Sequence, residues 1–306
     1  MNVYHHTAEA AGKIKNAVVT TGSFDGVHIG HKLIINRLNE IADEIDGESV
    51  LITFDPHPRK VLYPDQKDLK LINSQEEKIE LLRKAGLDNL IIVPFTLEFS
   101  KTSSHDFVTG MLIGDLSAKV VVVGHNHHFG HGRKGDYSYL HNLSKDKGFK
   151  VEEIPLKLIE NETVSSTKIR KALKEGNIQR ANAYLDHQYI VKGKLYKDSR
   201  LHESFSESSV GVEITTKEKL IPPPGIYAGN LFVDDNCLKT MSFVLEDDAG
   251  NKKLVNQLIY DQIEADGKEG TLYFYKLIWS GNPLSNGASV DQVMEEAREM
   301  VEDLIY

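Results

Sequence analysis

Gly22-Ser23-Phe24-Asp25-Gly26-Val27-His28-Ile29-Gly30-His31 is the stretch on which the reading of this chain turns. Ala17-Val18-Val19-Thr20-Thr21 before it reads as a short buried strand, and Ile34, Leu38, Ile41 and Ile45 after it recur at helical spacing. Gly22, Gly26 and Gly30 therefore fall at a strand-to-helix junction. Glycine there lets a backbone approach a ligand, and the helix N-terminus that follows offers unpaired N–H groups and positive potential to an anion. His28 and His31, three residues apart, are expected to lie one above the other at its mouth.

Surface turns and metal sites also bring two histidines this close. A dinucleotide fingerprint is a poor match here, since the spacing of Gly22, Gly26 and Gly30 is not G-x-G-x-x-G, and no G-x-x-x-x-G-K-[ST] string is present. The H-x-G-H pattern that remains resembles nucleotidyltransferases, which join a nucleoside monophosphate from ATP or CTP to a second phosphate and release pyrophosphate.

The chain has 306 residues, and single cores seldom grow beyond about 250–300 residues, so two domains are expected. A formal net charge of -9 disfavours general nucleic-acid binding and suits small anionic substrates in a local basic pocket. Cys237 is the only cysteine, which excludes an intrachain disulfide and points to a reducing, cytoplasmic home. No apolar run approaches the roughly 18 residues of a membrane span, and the segment from Met1 to His6 lacks a signal-peptide core. No membrane partner is expected.

From Ala17 to about Asp186 strand and helix signals alternate, the pattern of a parallel sheet flanked by helices. Ser49–Phe54, Leu90–Val93 and Lys119–Val123 are the further strand candidates. Ser74 and Glu77 make a capping box for a helix that ends at Gly86, another helix passes through Phe107, Val108, Met111 and Leu112, and a third runs from Ser165-Ser166 to Gly176. After Asp186 the texture changes. Tyr189–Leu195, Val210–Thr216, Ile226–Val233, Met241–Glu246 and Gly270–Ile278 read as strands, and Val290–Ile305 as an amphipathic helix. The expected fold is α/β: a Rossmann-like parallel-sheet domain over residues 1–186, then a small antiparallel β-barrel with a C-terminal helix over residues 187–306.

Three more stretches of the first domain carry chemistry. Thr53-Phe54-Asp55-Pro56-His57-Pro58 closes a strand, where ligands of open α/β sheets collect. Gly124-His125-Asn126-His127-His128-Phe129-Gly130-His131-Gly132-Arg133-Lys134-Gly135 follows the run of four valines. Val164-Ser165-Ser166-Thr167-Lys168-Ile169-Arg170 places hydroxyls at a helix start and a guanidinium one turn in, a set suited to a phosphate tail. Each has a plainer reading: a histidine-rich metal loop for the second, a turn bounded by two prolines for Asp55 and His57, ordinary N-capping for Ser166 and Thr167.

In this order the four stretches resemble the adenylyltransferase half of the bacterial FAD synthetases, a family that commonly fuses FMN adenylyltransferase to riboflavin kinase. The T-F-D-P-H-P element separates it from relatives that share only H-x-G-H and a serine/threonine signature. The resemblance implies adenylyl transfer from ATP to FMN, giving FAD and pyrophosphate, with Mg2+ arriving on ATP. It makes His28, His31 and Arg170 the catalytic residues. Gly22, Phe24, Asp25, Gly30, Gly124, Asn126, Arg133, Ser166 and Thr167 would bind ATP, while Asp55, Pro56, His57 and Pro58 border the flavin. The family usually has an acidic residue and an aromatic where Asn126 and His127 stand, so a carboxylate role at 126 is lost.

The second domain resembles riboflavin kinase more weakly, through Lys192-Gly193-Lys194-Leu195 and Pro223-Pro224-Gly225-Ile226-Tyr227-Ala228. No P-T-A-N string occurs in the region from Lys197 to Ser209, and the later glutamate segment lacks its usual context. Little or no kinase activity is expected. The alternatives are a bifunctional synthetase with a drifted kinase motif, or a barrel that binds flavin or assembles the protein without chemistry.

Overall fold

The computed structural model describes residues 1–65, 69–125, 127–154, 158–159, 162–197, 205, 208–214, 216–260, 263–264, 266–282 and 290–304. The chain divides into two compact units: residues 1–69 with 78–164, and residues 70–77 with 165–306.

The first unit contains β1 (Asn2–Tyr4), α1 (Thr7–Ala10), β2 (Val18–Thr21), α2 (Ile29–Glu44), β3 (Ser49–Asp55), α3 (Pro58–Leu62), most of α4 (Gln75–Lys84) and β4 (Asn89–Pro94). It continues with α5 (Ser104–Asp106), β5 (Val120–Gly124), α6 (Tyr137–Lys147), β6 (Lys150–Ile154) and the two-stranded ribbon of β7 (Leu158–Ile159) and β8 (Glu162–Thr163). Six strands form one parallel sheet in the order β1-β4-β3-β2-β5-β6. Alternation along each strand sends side chains to opposite layers. Val19, Val50, Ile52, Ile91, Val121 and Val123 pack with Phe107, Leu112 and Leu140. Their neighbours Leu51, Leu90 and Ile92 pack with Ile35 and Leu82, and Val18, Val120 and Val122 with Leu38 and Ile41. Cover on both faces explains why these strands read as unbroken apolar runs.

The four expected strands and the capping box are present. The N–H of Glu77 donates to Ser74 Oγ at 3.2 Å, and the N–H of Ser74 to Glu77 Oε2 at 2.9 Å. The segment through Phe107 and Met111 differs from a regular α-helix. After α5 the chain widens into a π-helical stretch, Phe107–Asp115, closed by the N–H of Leu116 on the carbonyl of Met111 at 3.2 Å.

The second unit begins with residues 70–77 and resumes with α7 (Ser166–Lys174) and α8 (Ile178–Leu185). Six strands follow: β9 (Tyr189–Tyr196), β10 (Ser209–Val212), β11 (Gly225–Val233), β12 (Asn236–Glu246), β13 (Lys252–Leu258) and β14 (Glu269–Ser280), then α9 (Val290–Glu302). The strands close into an antiparallel barrel in the order β10-β13-β12-β11-β14-β9. Ala297 and Val301 of α9 pack on Ile226, Met241, Phe243, Val255 and Ile259 of its wall. Asn182 of α8 donates through Nδ2 to the carbonyl of Phe274 at 2.8 Å and accepts the N–H of Tyr189 at 2.7 Å.

Two departures from the sequence reading stand out. The strand expected at Val210–Thr216 ends at Val212, and β13 was not expected at all. By compactness, residues 70–77 and 165–186 group with the barrel, whereas the sequence reading places them in the first domain.

Candidate active site

β2 is central in the sheet, with β3 and β4 to one side and β5 and β6 to the other. The order of the strands therefore reverses between β2 and β5, and open α/β sheets bind ligands beyond the carboxyl ends of their strands at such a point. The loops that leave β2, β3 and β5 there are the first three sequence stretches.

The turn after β2 is unusual in its backbone. Phe24 and Val27 adopt φ of 46° and 40°, and Gly26 one of 98°. A positive φ is costly for an aromatic and more so for a β-branched residue. Burial of Phe24 and Val27 in a cluster with Ile35, Leu51 and Leu82 holds the turn in place. His28 caps α2, its Nδ1 accepting the N–H of His31 at 3.3 Å. The two imidazoles stack with centroids 3.6 Å apart and planes 13° apart, and the ring of Phe24 stacks on His31 at 4.3 Å. A Cβ at Gly30 would meet the His28 ring at 3.3 Å, and one at Gly22 the Phe24 ring at 3.0 Å. Both glycines thus make room for the motif's own rings. Burial, then the neighbouring His28 and Lys78, holds His31 well below the usual imidazole pKa, so its ring is neutral near pH 7. Its Nδ1 is buried with no hydrogen-bond partner among the described residues.

At the end of β3, Thr53 Oγ1 donates to the carbonyl of Ser23 at 3.2 Å and ties this strand to the β2 turn. Asp55 and Pro56 are exposed, and Pro58 opens α3. His57 is buried and caps that helix, its Nδ1 accepting the N–H of Arg59 at 3.2 Å. The prolines therefore bound a helix start rather than a plain turn. Lys78 of α4, absent from the sequence-based set, is also buried here. Its pKa is lowered by burial and pulled back by Asp25 and Asp55.

In the loop after β5, His127 Nε2 lies 3.0 Å from Thr21 Oγ1 and its ring stacks on Phe129. Burial lowers its pKa to about 4. His125 is exposed and pairs with Glu153 at 3.0 Å, while His131 Nδ1 is 3.2 Å from the carbonyl of Ser100. These histidines have separate partners, and among the described residues no group of three or more His, Cys, Asp or Glu could hold a metal ion. A Cβ at Gly124 would meet Ile34 at an ordinary contact distance of 3.5 Å, and Arg133 is exposed with φ of 58°. Asn126 lies outside the described residues.

The fourth stretch belongs to the second unit. Ser165 caps α7, its Oγ accepting the N–H of Lys168 at 3.4 Å. Ordinary capping therefore falls on Ser165, and Ser166 and Thr167 are the first two helical residues. Arg170 is buried and donates through Nε to the carbonyl of Lys70 at 2.9 Å.

The model of the FAD synthetase family matches residues 11–168, and so spans all the stretches just described except the end of the last. The chain belongs to the FAD synthetase family. It is similar to proteins named bifunctional riboflavin kinase/FMN adenylyltransferase. The one from Listeria monocytogenes is 33% identical over 215 residues, 70% of this chain and 67% of that protein. The one from Buchnera aphidicola of Acyrthosiphon pisum is 26% identical over 269 residues, 86% and 85% of the two chains. A solved chain from Streptococcus pneumoniae, described as a macrolide-efflux protein, superposes with a TM-score of 0.86 over 99% of each chain at 21% identity, a likeness of fold.

As an FAD synthetase this chain is a nucleotidyltransferase with FMN adenylyltransferase activity. The described residues include no dedicated metal cage. In the barrel, Tyr227 Oη donates to the carbonyl of Pro223 at 2.7 Å, and burial raises its pKa. Most of the region from Lys197 to Ser209 lies outside the described residues. Among the described residues no helix is long and apolar enough to cross a membrane.

Proposed function

We propose that this FAD synthetase adenylylates FMN at the carboxyl ends of β2, β3 and β5 and has lost riboflavin kinase activity. The observation that carries the first part is the stacked His28–His31 pair at the start of α2, beside the sheet's reversal point. An oxygen of the FMN phosphate attacks the α-phosphorus of ATP in line, and pyrophosphate leaves from the opposite side. Position and charge stabilisation suffice for this, without a covalent enzyme intermediate.

In this reading His28 and His31 meet the triphosphate and stabilise charge on the five-coordinate phosphorus. The neutral ring of His31 acts as a hydrogen-bond donor rather than as a cation. Gly22, Phe24, Asp25, Gly30, Gly124, Asn126 and Arg133 line the nucleotide, and Ser166, Thr167 and Arg170 hold the pyrophosphate. Asp55, Pro56, His57 and Pro58 border the flavin. Mg2+ comes and goes with the nucleotide phosphates. The functional domains we assign are residues 1–186 for adenylyl transfer and 187–306 for the kinase-like barrel, in the cytoplasm.

Absence of P-T-A-N between Lys197 and Ser209 supports the loss of kinase activity, because each site depends on its own residues rather than on the fold. The names of the relatives favour a second reading, a bifunctional enzyme. Chromatography of two reactions separates them. ATP with FMN is expected to give FAD, and ATP with riboflavin no FMN above background. Sustained FMN formation from riboflavin would establish the bifunctional reading, and binding of riboflavin without turnover a flavin-binding module.

A further inference from the structure

Lys78 is a largely buried amine that adenylyl transfer by the histidines and Arg170 leaves without a task. It is 6% exposed and sits in the first half of α4. Ile79, Leu81 and Leu82 of that helix share an apolar cluster with Phe24 and Val27, and Phe24 stacks on His31. Lys78 is thereby set behind the turn that carries the two catalytic histidines. The charges it senses are Asp25, inside that turn, and Asp55, at the end of β3. Among the described residues it takes no part in the ion pairs closer than 4.0 Å. A largely buried lysine with no hydrogen-bond or ion-pair partner among the described residues is unfavourable unless a ligand completes it.

The stretch assigned to the flavin side, Asp55 to Pro58, contains a carboxylate and no permanent cation. A phosphate dianion brought beside Asp55 and toward a triphosphate needs positive charge near that junction. We propose that Lys78 is a catalytic residue that contacts the acceptor phosphate of FMN.

This rests on the adenylyl-transfer reading and adds the group that binds its acceptor. An oxygen of the FMN phosphate supplies the electron pair for the new bond to the α-phosphorus. The bond from that phosphorus to the bridging oxygen of the β-phosphate breaks, and pyrophosphate carries its electron pair away. Lys78 keeps its protons throughout, offsetting charge as the two anions approach.

The test uses the full chain, with FMN and ATP varied separately. Lys78→Met is expected to raise KM for FMN about 10-fold or more and to lower kcat, with KM for ATP changed less than about 2-fold. Lys78→Arg should recover most of the FMN affinity. Added ethylammonium should restore part of the activity of Lys78→Ala, a response that a lysine needed only for packing would not give. If Lys78→Met melts below the assay temperature, Lys78→Gln takes its place. An unchanged KM for FMN, an equal rise in KM for ATP, or the failure of both arginine and amine to recover activity would overturn the assignment. Wild-type protein that makes no FAD would overturn the adenylyl-transfer reading itself; wild-type turnover with a silent Lys78→Met overturns only this inference.

Discussion

Lys219 Nζ lies 2.5 Å from Glu77 Oε2, and both side chains are almost wholly removed from solvent. The same ammonium donates to the carbonyls of Ile72 at 2.6 Å and Ile190 at 2.7 Å, and sits 4.4 Å over the ring of Tyr189. Glu77 Oε1 accepts the N–H of Lys192 at 2.9 Å. The residue that completes the capping box of α4 is thus also the anion that fixes residues 70–77 to the barrel strands.

Breaking that pair should be costly, because the remaining charge stays buried. Glu77→Leu and Lys219→Met are each expected to lower unfolding stability by about 3–5 kcal/mol, and the double variant Glu77→Leu with Lys219→Met by clearly less than the sum. Urea unfolding of the four proteins measures it. Additive losses would show that the two groups contribute separately.

His28 has two tasks that substitution can separate. His28→Ala removes the cap of α2, worth about 1 kcal/mol, and the imidazole, whose loss should lower turnover roughly 10²–10³-fold. His28→Asn keeps a capping side chain, so thermal stability should return toward wild type while turnover stays low. His31→Ala should lower turnover to a similar extent without removing a cap. Near-normal FAD formation by either histidine variant would remove that residue from the mechanism.

Arg170 is anchored to the carbonyl of Lys70, so it is not a solvated helix residue. Arg170→Lys keeps a charge but loses the planar fork, and should lower FAD formation. Arg170→Ala should lower it further and destabilise residues 70–77. Pyrophosphate release at the wild-type rate from both variants would leave Arg170 a purely structural role.

His127 gives the protein an acid-sensitive term. Its folded pKa of about 4 lies below the ordinary 6.5, so between these values the unfolded chain binds a proton that the folded one refuses. The stability contribution is complete above pH 6.5 and falls as pH drops toward 4, by about 3 kcal/mol. His127→Gln should flatten this part of a stability-versus-pH curve measured by denaturant unfolding. The same slope in both proteins would assign it to other groups.

Local pattern was enough for β2, β3, β4 and β5 and for the cap of α4, because continuous β-branched runs and S-x-x-E spacing act within a few residues, whereas the cap of α7 falls on Ser165 rather than on Ser166 or Thr167. The order of the four chemical stretches likewise carried the family. Lys252–Leu258 was illegible as a strand because its Lys-Lys start and its Asn256 and Gln257 mimic a loop. Asn256 is nevertheless fully buried, opposite Ser242 and Val210 in the barrel. The widening of Phe107–Asp115 into a π-helix has no mark in a pattern that suits an ordinary helix equally well.

Lys78 and Lys219 show the larger limit. In the sequence each is one of the 36 Lys and Arg residues of an acidic chain, and such residues are solvated by default. Burial of Lys78 comes from Ile79 and Leu82 meeting a turn fifty residues earlier, and that of Lys219 from its bridge to Leu71, nearly one hundred and fifty residues away. Composition and local spacing specify which elements form and which chemistry their loops can carry. Which charges are stripped of water, and so gain strength, depends on contacts between distant segments that no local pattern encodes.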